Sequence, residues 1–289
     1  MMHSKLFLIV GATGRTGSNI VEMFFERGHD VRAFVHKDDE RSAQLQRQGA
    51  EIVVGNLHDF MTVRSALEGV WGAYFVYPVE PGIIEATASF AQAAKEARVS
   101  VVVNISQIHA RREAKSHAAF NHWLAERVFD WSGLPVTHLK PTIFAENLLL
   151  YSPGVKNGLV RTPHGESKHA PIASEDIARV VVSILENPST HQGKTYRLSG
   201  PQEYTYAEVI ALISKVLERP IVYERISPEA AREQMSKILT PFEVQHAFET
   251  AKDHAAGVLS GTDEAIEKIT GHKPMGVEEF VRKHHRVFE

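Results

Sequence analysis

The chain has no cysteine among its 289 residues. Disulfides, zinc–thiolate centres and cysteine nucleophiles are therefore excluded. No apolar run is long enough to span a bilayer, and the opening Met1-Met2-His3-Ser4-Lys5 leads into a strand rather than a secretory leader. A cytoplasmic protein without a membrane partner is expected. Charge of one sign is scarce as well: 32 Lys and Arg stand against 35 Asp and Glu, a formal net charge of −3. That balance lacks the basic stripe a nucleic acid demands, so no nucleic-acid partner is expected. P-loop, G-x-S-x-G and H-E-x-x-H patterns are missing too. The 16 histidines do not fall at ligand spacing. His117 and His122 sit five apart and His284 and His285 are adjacent, so each pair diverges on a helix and no metal is expected.

What the chain does have is Lys5 to Gly17, K-L-F-L-I-V-G-A-T-G-R-T-G. Leu6, Phe7, Leu8, Ile9 and Val10 run apolar without alternation, the pattern of a strand covered on both faces in a parallel sheet. Three glycines spaced by two residues follow. Gly11 permits a tight turn, Gly14 lets backbone approach a bound group, and Gly17 lets the next helix pack on the strand. That helix, beginning near Gly14 with Ile20, Val21, Phe24 and Phe25 at helical spacing, aims its first amides at the turn. An anion belongs there, with Thr13, Arg15 and Thr16 beside it.

Strand and helix patterns then alternate. Strands are expected at Asp30–His36, Glu51–Gly55, Gly72–Tyr77, Val99–Ser106 and Val136–Lys140. Helices are expected at Glu40–Gln48, Phe60–Leu67, Ile83–Ala97 and Glu113–Ser132, the last with Phe120, Leu124, Val128 and Phe129 along one stripe. This alternation predicts an α/β fold: a doubly wound parallel sheet of Rossmann type with a smaller, mostly helical C-terminal substrate lobe. The nucleotide domain is expected over 1–150, with 174–200 returning to it, and the lobe over 151–173 and 201–289. Past Pro141, glycines and prolines predict loops until a helix at Ser174–Glu186 and a strand at Lys194–Ser199. The lobe then reads as a helix at Thr205–Glu218, a strand at Ile221–Ile226, and helices at Pro228–Ile238, Pro241–Ala255, Thr262–Ile269 and Val277–His285.

A site selective for NAD places a carboxylate at the end of the second strand, on the ribose 2′-hydroxyl. Here that place holds His36 and Lys37, with Arg15 in the turn and Arg32 in the strand. These cations suit a 2′-phosphate, so NADP(H) is preferred and NAD(H) is the alternative. Lys37, Asp38, Asp39 and Glu40 also read simply as a solvated turn.

Four stretches carry a resemblance: G-A-T-G-R-T-G-S-N-I-V at the start, G-N-L-H-D at Gly55–Asp59, K-P-T-I-F-A-E-N at Lys140–Asn147, and S-G-P-Q-E-Y-T-Y-A-E at Ser199–Glu208. They resemble, over nearly the whole chain, the NmrA-like branch of the atypical short-chain dehydrogenases/reductases. The resemblance implies NAD(P) binding, with Gly55, Asn56 and Leu57 beside the adenine, Tyr77 and Pro78 beside the ribose, and Pro141 to Phe144 beside the nicotinamide. Short-chain dehydrogenases resemble one another in a Tyr-x-x-x-Lys pair that delivers a proton. Aligned on Glu126, this chain has Ala118 and His122 in those places. His122 is then the candidate proton donor, weighed against a plain buried helix histidine. Ser106 with Gln107 is the candidate for orienting a substrate oxygen, or a strand-end cap.

Substrate contacts are expected from Tyr77, Pro78, Val79, Phe144, Asn147, Leu148 and Tyr151, an apolar and aromatic wall fit for a small apolar or aromatic molecule. The same side chains also read as core. Arg111, Arg112 and Lys115, after the fifth strand, either draw an anion or are solvated. Two functions follow: a reductase passing hydride to a quinone, enone or other conjugated carbonyl, or a non-catalytic NADP(H) sensor acting on a protein partner. A nucleotide-sugar epimerase relative is a third and weaker reading, since it wants the missing tyrosine. The chain is expected to be a monomer or homodimer.

Overall fold

The structure, a computed structural model, describes residues 4–289. Strands and helices alternate as β1 (Leu6–Val10), α1 (Arg15–Glu26), β2 (Asp30–Val35), α2 (Glu40–Arg47), β3 (Glu51–Val54), α3 (Phe60–Ala66), β4 (Gly72–Phe75), α4 (Ile83–Glu96), β5 (Val101–Ile105), α5 (His117–Ser132) and β6 (Val136–Pro141). A 3₁₀ segment, Ala145–Tyr151, leads into α6 (Ser152–Lys156), β7 (Leu159–Thr162), α7 (Ser174–Glu186) and β8 (Thr195–Leu198). The remainder is α8 (Tyr206–Val216), β9 (Val222–Arg225), α9 (Pro228–Met235), α10 (Pro241–Ala255), α11 (Ala265–Thr270), α12 (Val277–Lys283) and α13 (His285–Phe288).

Seven strands form one sheet in the order β3-β2-β1-β4-β5-β6-β8, and the pairs from β3 through β6 are parallel. Order reverses between β1 and β4. That reversal is the switch point at which open α/β sheets bind ligands, outside the carboxyl ends of the strands. The unbroken apolar run of β1 is explained by its two covered faces. Leu8 and Val10 join a core with Val63, Phe90 and Phe129 of α3, α4 and α5 and with Leu67 at the end of α3, whereas Phe7 stacks on Phe24 of α1 at 4.2 Å between ring centroids.

The chain divides into two compact units, one of 1–106, 121–140 and 177–196, the other of 107–120, 141–176 and 197–289. The second takes in 107–120 and 141–150 along with the expected lobe. It has its own core, including Leu148, Val209, Ile213 and Phe280, and a two-stranded parallel sheet of β7 and β9. β7 lies within the glycine- and proline-rich stretch where loops are expected. Its four residues are too few to show a period, and its partner is 63 positions away in the register Leu159↔Val222.

α5 departs from expectation twice. It begins at His117 rather than Glu113, because the Ser116 hydroxyl accepts the Ala119 N–H at 3.2 Å and caps the helix there. Its buried face is Ala118, Ala119, His122, Ala125, Glu126 and Phe129, while Phe120, Leu124 and Val128 are only partly covered. The helix turns a histidine and a carboxylate inward, an orientation that counting apolar residues cannot yield.

Candidate active site

The turn after β1 is built from backbone. Gly11 sits at φ +63°, and its carbonyl accepts the Gly14 N–H at 2.8 Å. A Cβ on Gly14 would stand 3.0 Å from that oxygen, and one on Gly17 only 2.2 Å from it. Side chains cap α2, α3, α8, α9 and α10 through Asp39, Asp59, Thr205, Ser227 and Thr240. α1 has Gly14 at its N-cap, no side-chain cap and no acidic residue in its first turn. The positive end of this helix therefore has no side-chain acceptor or carboxylate of its own, and it fits a pyrophosphate. Thr13 is half-buried, Arg15 exposed and Thr16 buried.

At the end of β2, His36 and Lys37 are exposed. The neighbouring acids are committed locally. Asp39 accepts the Arg41 and Ser42 amides, its carboxyl held below the usual range first by the Arg41 side chain. Asp38 accepts the Ser42 hydroxyl at 3.0 Å. Arg32 corrects an expectation: it bonds the Ala66 and Glu68 carbonyls at 2.8 and 2.7 Å and pairs with Glu51. It lies early in the strand, away from the carboxyl end, and holds the end of α3.

In the turn after β3, the Asn56 side chain accepts the His58 N–H at 3.0 Å and Leu57 is buried. After β4, Tyr77 is buried, Pro78 exposed and Val79 between them. Tyr77 Oη donates to the Pro81 carbonyl and meets His58 Nε2, each at 2.9 Å.

The ends of β5 and β6 are joined by side chains. Glu126 of α5, 2% exposed, accepts the Ser106 hydroxyl at 2.5 Å and the Lys140 ammonium at 3.1 Å, with Arg127 at 3.5 Å. Ser106 thus directs its proton inward to Glu126, the arrangement of a strand-end cap, the alternative to orienting a substrate oxygen. His122 is buried one helical turn before Glu126. Deeper along the same strands, Asn104 Nδ2 donates to His138 Nδ1 at 2.9 Å and His138 Nε2 to Asp130 at 3.1 Å. Burial draws the His138 pKa below its ordinary value, which keeps this tautomer neutral.

Within the second unit, Gln107 is half-buried, and its side-chain oxygen is enclosed with no hydrogen-bond partner among the described residues. Pro141 is buried, Phe144 and Asn147 partly so. Leu148 belongs to the core, and Tyr151 packs against that core, edge-on to Tyr206 at 6.2 Å, burial raising its phenol to about 12. Arg111 is no solvated cation: it grips Asp253 of α10 through two bonds of 2.9 and 2.6 Å, with His109 at 3.2 Å. Burial favours a protonated Asp253, but the bonds from His109 and Arg111 outweigh it and hold the carboxyl below its usual range. Sequence reading missed Asp253, His58 and the bonds of Glu126; each meets its partner only through the fold, so spacing carries no trace of the pairing.

The model of the NmrA-like family matches residues 3–281. The chain is 31% identical to the NAD(P)H azoreductase of Xenophilus azovorans over 291 positions, covering 98% of this chain and 99% of the relative. Among solved structures, the fold is similar to an NADPH-dependent quinone oxidoreductase of Escherichia coli complexed with NADPH, at TM-score 0.86, 22% identity and coverage of 96% and 99%. It is also similar to NmrA, a negative transcriptional regulator, at TM-score 0.76, 22% identity and coverage of 97% and 95%.

Proposed function

The chain belongs to the NmrA-like family, and we propose that it is an NAD(P)H-dependent reductase that passes hydride to a small conjugated acceptor: a quinone, an enone or an azo compound. The observation that carries this is the turn after β1, a helix N-terminus without a side-chain cap and walled by glycines. There Gly11, Thr13, Gly14, Arg15, Thr16 and Gly17 would hold the pyrophosphate, Asn56 and Leu57 the adenine, and Tyr77 and Pro78 the ribose. NADP(H) is favoured over NAD(H), because His36 and Lys37 are exposed while Asp38 and Asp39 are spent on α2. Full-length likeness to an NAD(P)H azoreductase supports the reductase assignment.

When bound, the nicotinamide supplies the hydride. The acceptor needs one proton besides, and His122 is the candidate donor on α5; Ser106 is already bonded to Glu126. In the second unit, the unpartnered oxygen of Gln107 is a ready acceptor for a substrate O–H or N–H. The test is oxidation of NADPH by the purified protein with quinones, enones and azo dyes. Turnover above buffer is expected, and none with any acceptor would overturn the assignment. His122→Ala should lower kcat and remove a limb of its pH profile; an unchanged profile would end the proton role.

The family resemblance favours a second function, a sensor that binds NADP(H) and signals to a protein partner: by that resemblance Ala118 and His122 of α5 stand where short-chain dehydrogenases carry tyrosine and lysine. Calorimetry separates the two. A sensor distinguishes NADP⁺ from NADPH and turns nothing over.

A further inference from the structure

The turns that follow β3 and β4 are tied to each other by one histidine. His58 Nε2 stands 2.9 Å from Tyr77 Oη, which in turn lies 2.9 Å from the Pro81 carbonyl. A phenol has a single proton, and the carbonyl can only accept. Tyr77 therefore donates to Pro81, and its oxygen receives the His58 Nε2–H. Burial, then the charges of Glu80 and Glu85, push the Tyr77 phenol up to about 12, so that proton stays in place at working pH.

Gly82 makes room for this arrangement. It takes φ +108° at the N-cap of α4, and a Cβ there would lie 2.5 Å from His58 Cε1 and 2.8 Å from Tyr77 Oη. The turn of His58 is itself fixed, by the Asn56 side chain behind its amide and by Asp59 capping α3. Below the turns, α3 and α4 share a core through Val63, Leu67, Ile83 and Phe90. His58 is nevertheless solvent-exposed, so an interaction made by an exposed side chain fastens a buried tyrosine and the backbone of a second loop.

We propose that His58 is a positioning residue for the dinucleotide: through Tyr77 and Pro81 it clasps the turn of residues 77–82 to that of residues 55–59 and so sets both loops before the cofactor arrives. The proposal rests on the placement of adenine and ribose along these turns given above. Pre-ordering acts on binding, since loops that are already held lose little freedom when the ligand settles. It should leave the hydride step alone, because on that placement the clasp lies along the adenine and ribose and not at the nicotinamide.

The experiment measures NADPH affinity by calorimetry, together with kcat and both KM values, for wild type, His58→Ala, His58→Gln, Tyr77→Phe and the double variant His58→Ala/Tyr77→Phe. His58→Ala should raise the Kd and KM for NADPH by about tenfold, with kcat at saturating NADPH and KM for the acceptor within about twofold. His58→Gln, which keeps a side-chain N–H, should recover most of the loss. The double variant should bind about as well as the weaker single, because both changes break one linkage. NADPH affinity of His58→Ala within about twofold of wild type overturns the clasp, as does a loss expressed equally in kcat. Wild-type protein that binds NADPH no better than Gly14→Val would instead overturn the placement of the cofactor, and the role of His58 with it.

Discussion

The turn after β1 and the joined ends of β5 and β6 lie at the carboxyl edge of one sheet, yet they are made of opposite materials. The turn is backbone: Gly11 at positive φ, Gly17 where a Cβ would stand 2.2 Å from a carbonyl, and α1 with no side-chain cap. The strand ends are side chains, with a buried Glu126 holding Ser106 at 2.5 Å and Lys140 at 3.1 Å. A backbone that tolerates only glycine writes itself into the sequence. A buried carboxylate needs only some donors nearby, and many residue types at many positions supply them.

If the contrast holds, the largest effect comes from putting a side chain into the turn. Gly14→Val should weaken NADPH binding by at least about a hundredfold in calorimetry, because the new Cβ meets the Gly11 carbonyl at 3.0 Å and its methyls occupy the pyrophosphate's place. The melting temperature should fall by a few degrees at most, since the Gly11 carbonyl must shift for the new Cβ but Gly14 is exposed and its φ is ordinary. Affinity within tenfold of wild type would mean the turn is not the anion site.

Next comes the side-chain network. Glu126→Ala takes a carboxylate away from the Lys140 ammonium and the acceptor away from the Ser106 hydroxyl, beside a new cavity, and should cost about 3 kcal/mol in urea unfolding. Glu126→Gln keeps an acceptor for Ser106 and should cost less. A loss below about 1 kcal/mol for alanine would make Glu126 a tolerated passenger rather than the tie between strands.

The smallest effect per step extends the contrast to the second unit, where buried and partly buried histidines gather. His164 stacks on Tyr206 at 3.9 Å, and His254 Nε2 meets His169 Nδ1 at 3.2 Å. Burial, with the neighbouring His254, pulls His164 and His169 down to about 3, while burial and His109 pull His246 to about 4. The unfolded chain takes up these protons first, near pH 6.5. Stability is then complete above pH 6.5 and is lost as pH falls toward 3. His164→Phe, which preserves the stacking, should flatten that slope by about 1 kcal/mol per pH unit between pH 6 and 4. An unchanged slope would remove His164 from the account.

Much of the molecule was readable before folding was considered. Leu6 to Val10 as a doubly covered strand, the glycine turn and the α/β alternation follow from local rules of period and conformation, and Ser174–Glu186 and Pro241–Ala255 fall at the expected bounds, the latter opened by the Thr240 cap and Pro241. α5 was legible as a helix but not as to which face it buries. Apolar spacing chose Phe120, Leu124, Val128 and Phe129; of these the fold fully buries only Phe129, together with Ala118, His122, Ala125 and Glu126, whose small residues permit close approach and whose carboxylate has partners waiting at the ends of β5 and β6. Arg32 failed likewise as a phosphate ligand, since only the sheet brings the carbonyls of Ala66 and Glu68 within its reach.

By itself the amino-acid order determined where the chain must turn, which segments are strands, and that an anion suits the first helix, because those are properties of neighbouring residues. Tertiary structure alone decided that Ser106 points its proton inward, that His58 fastens Tyr77 and that Arg111 belongs to Asp253. A hydrogen bond between residues far apart in the chain forms only when folding pays the entropy of bringing them together, and no local pattern records that meeting.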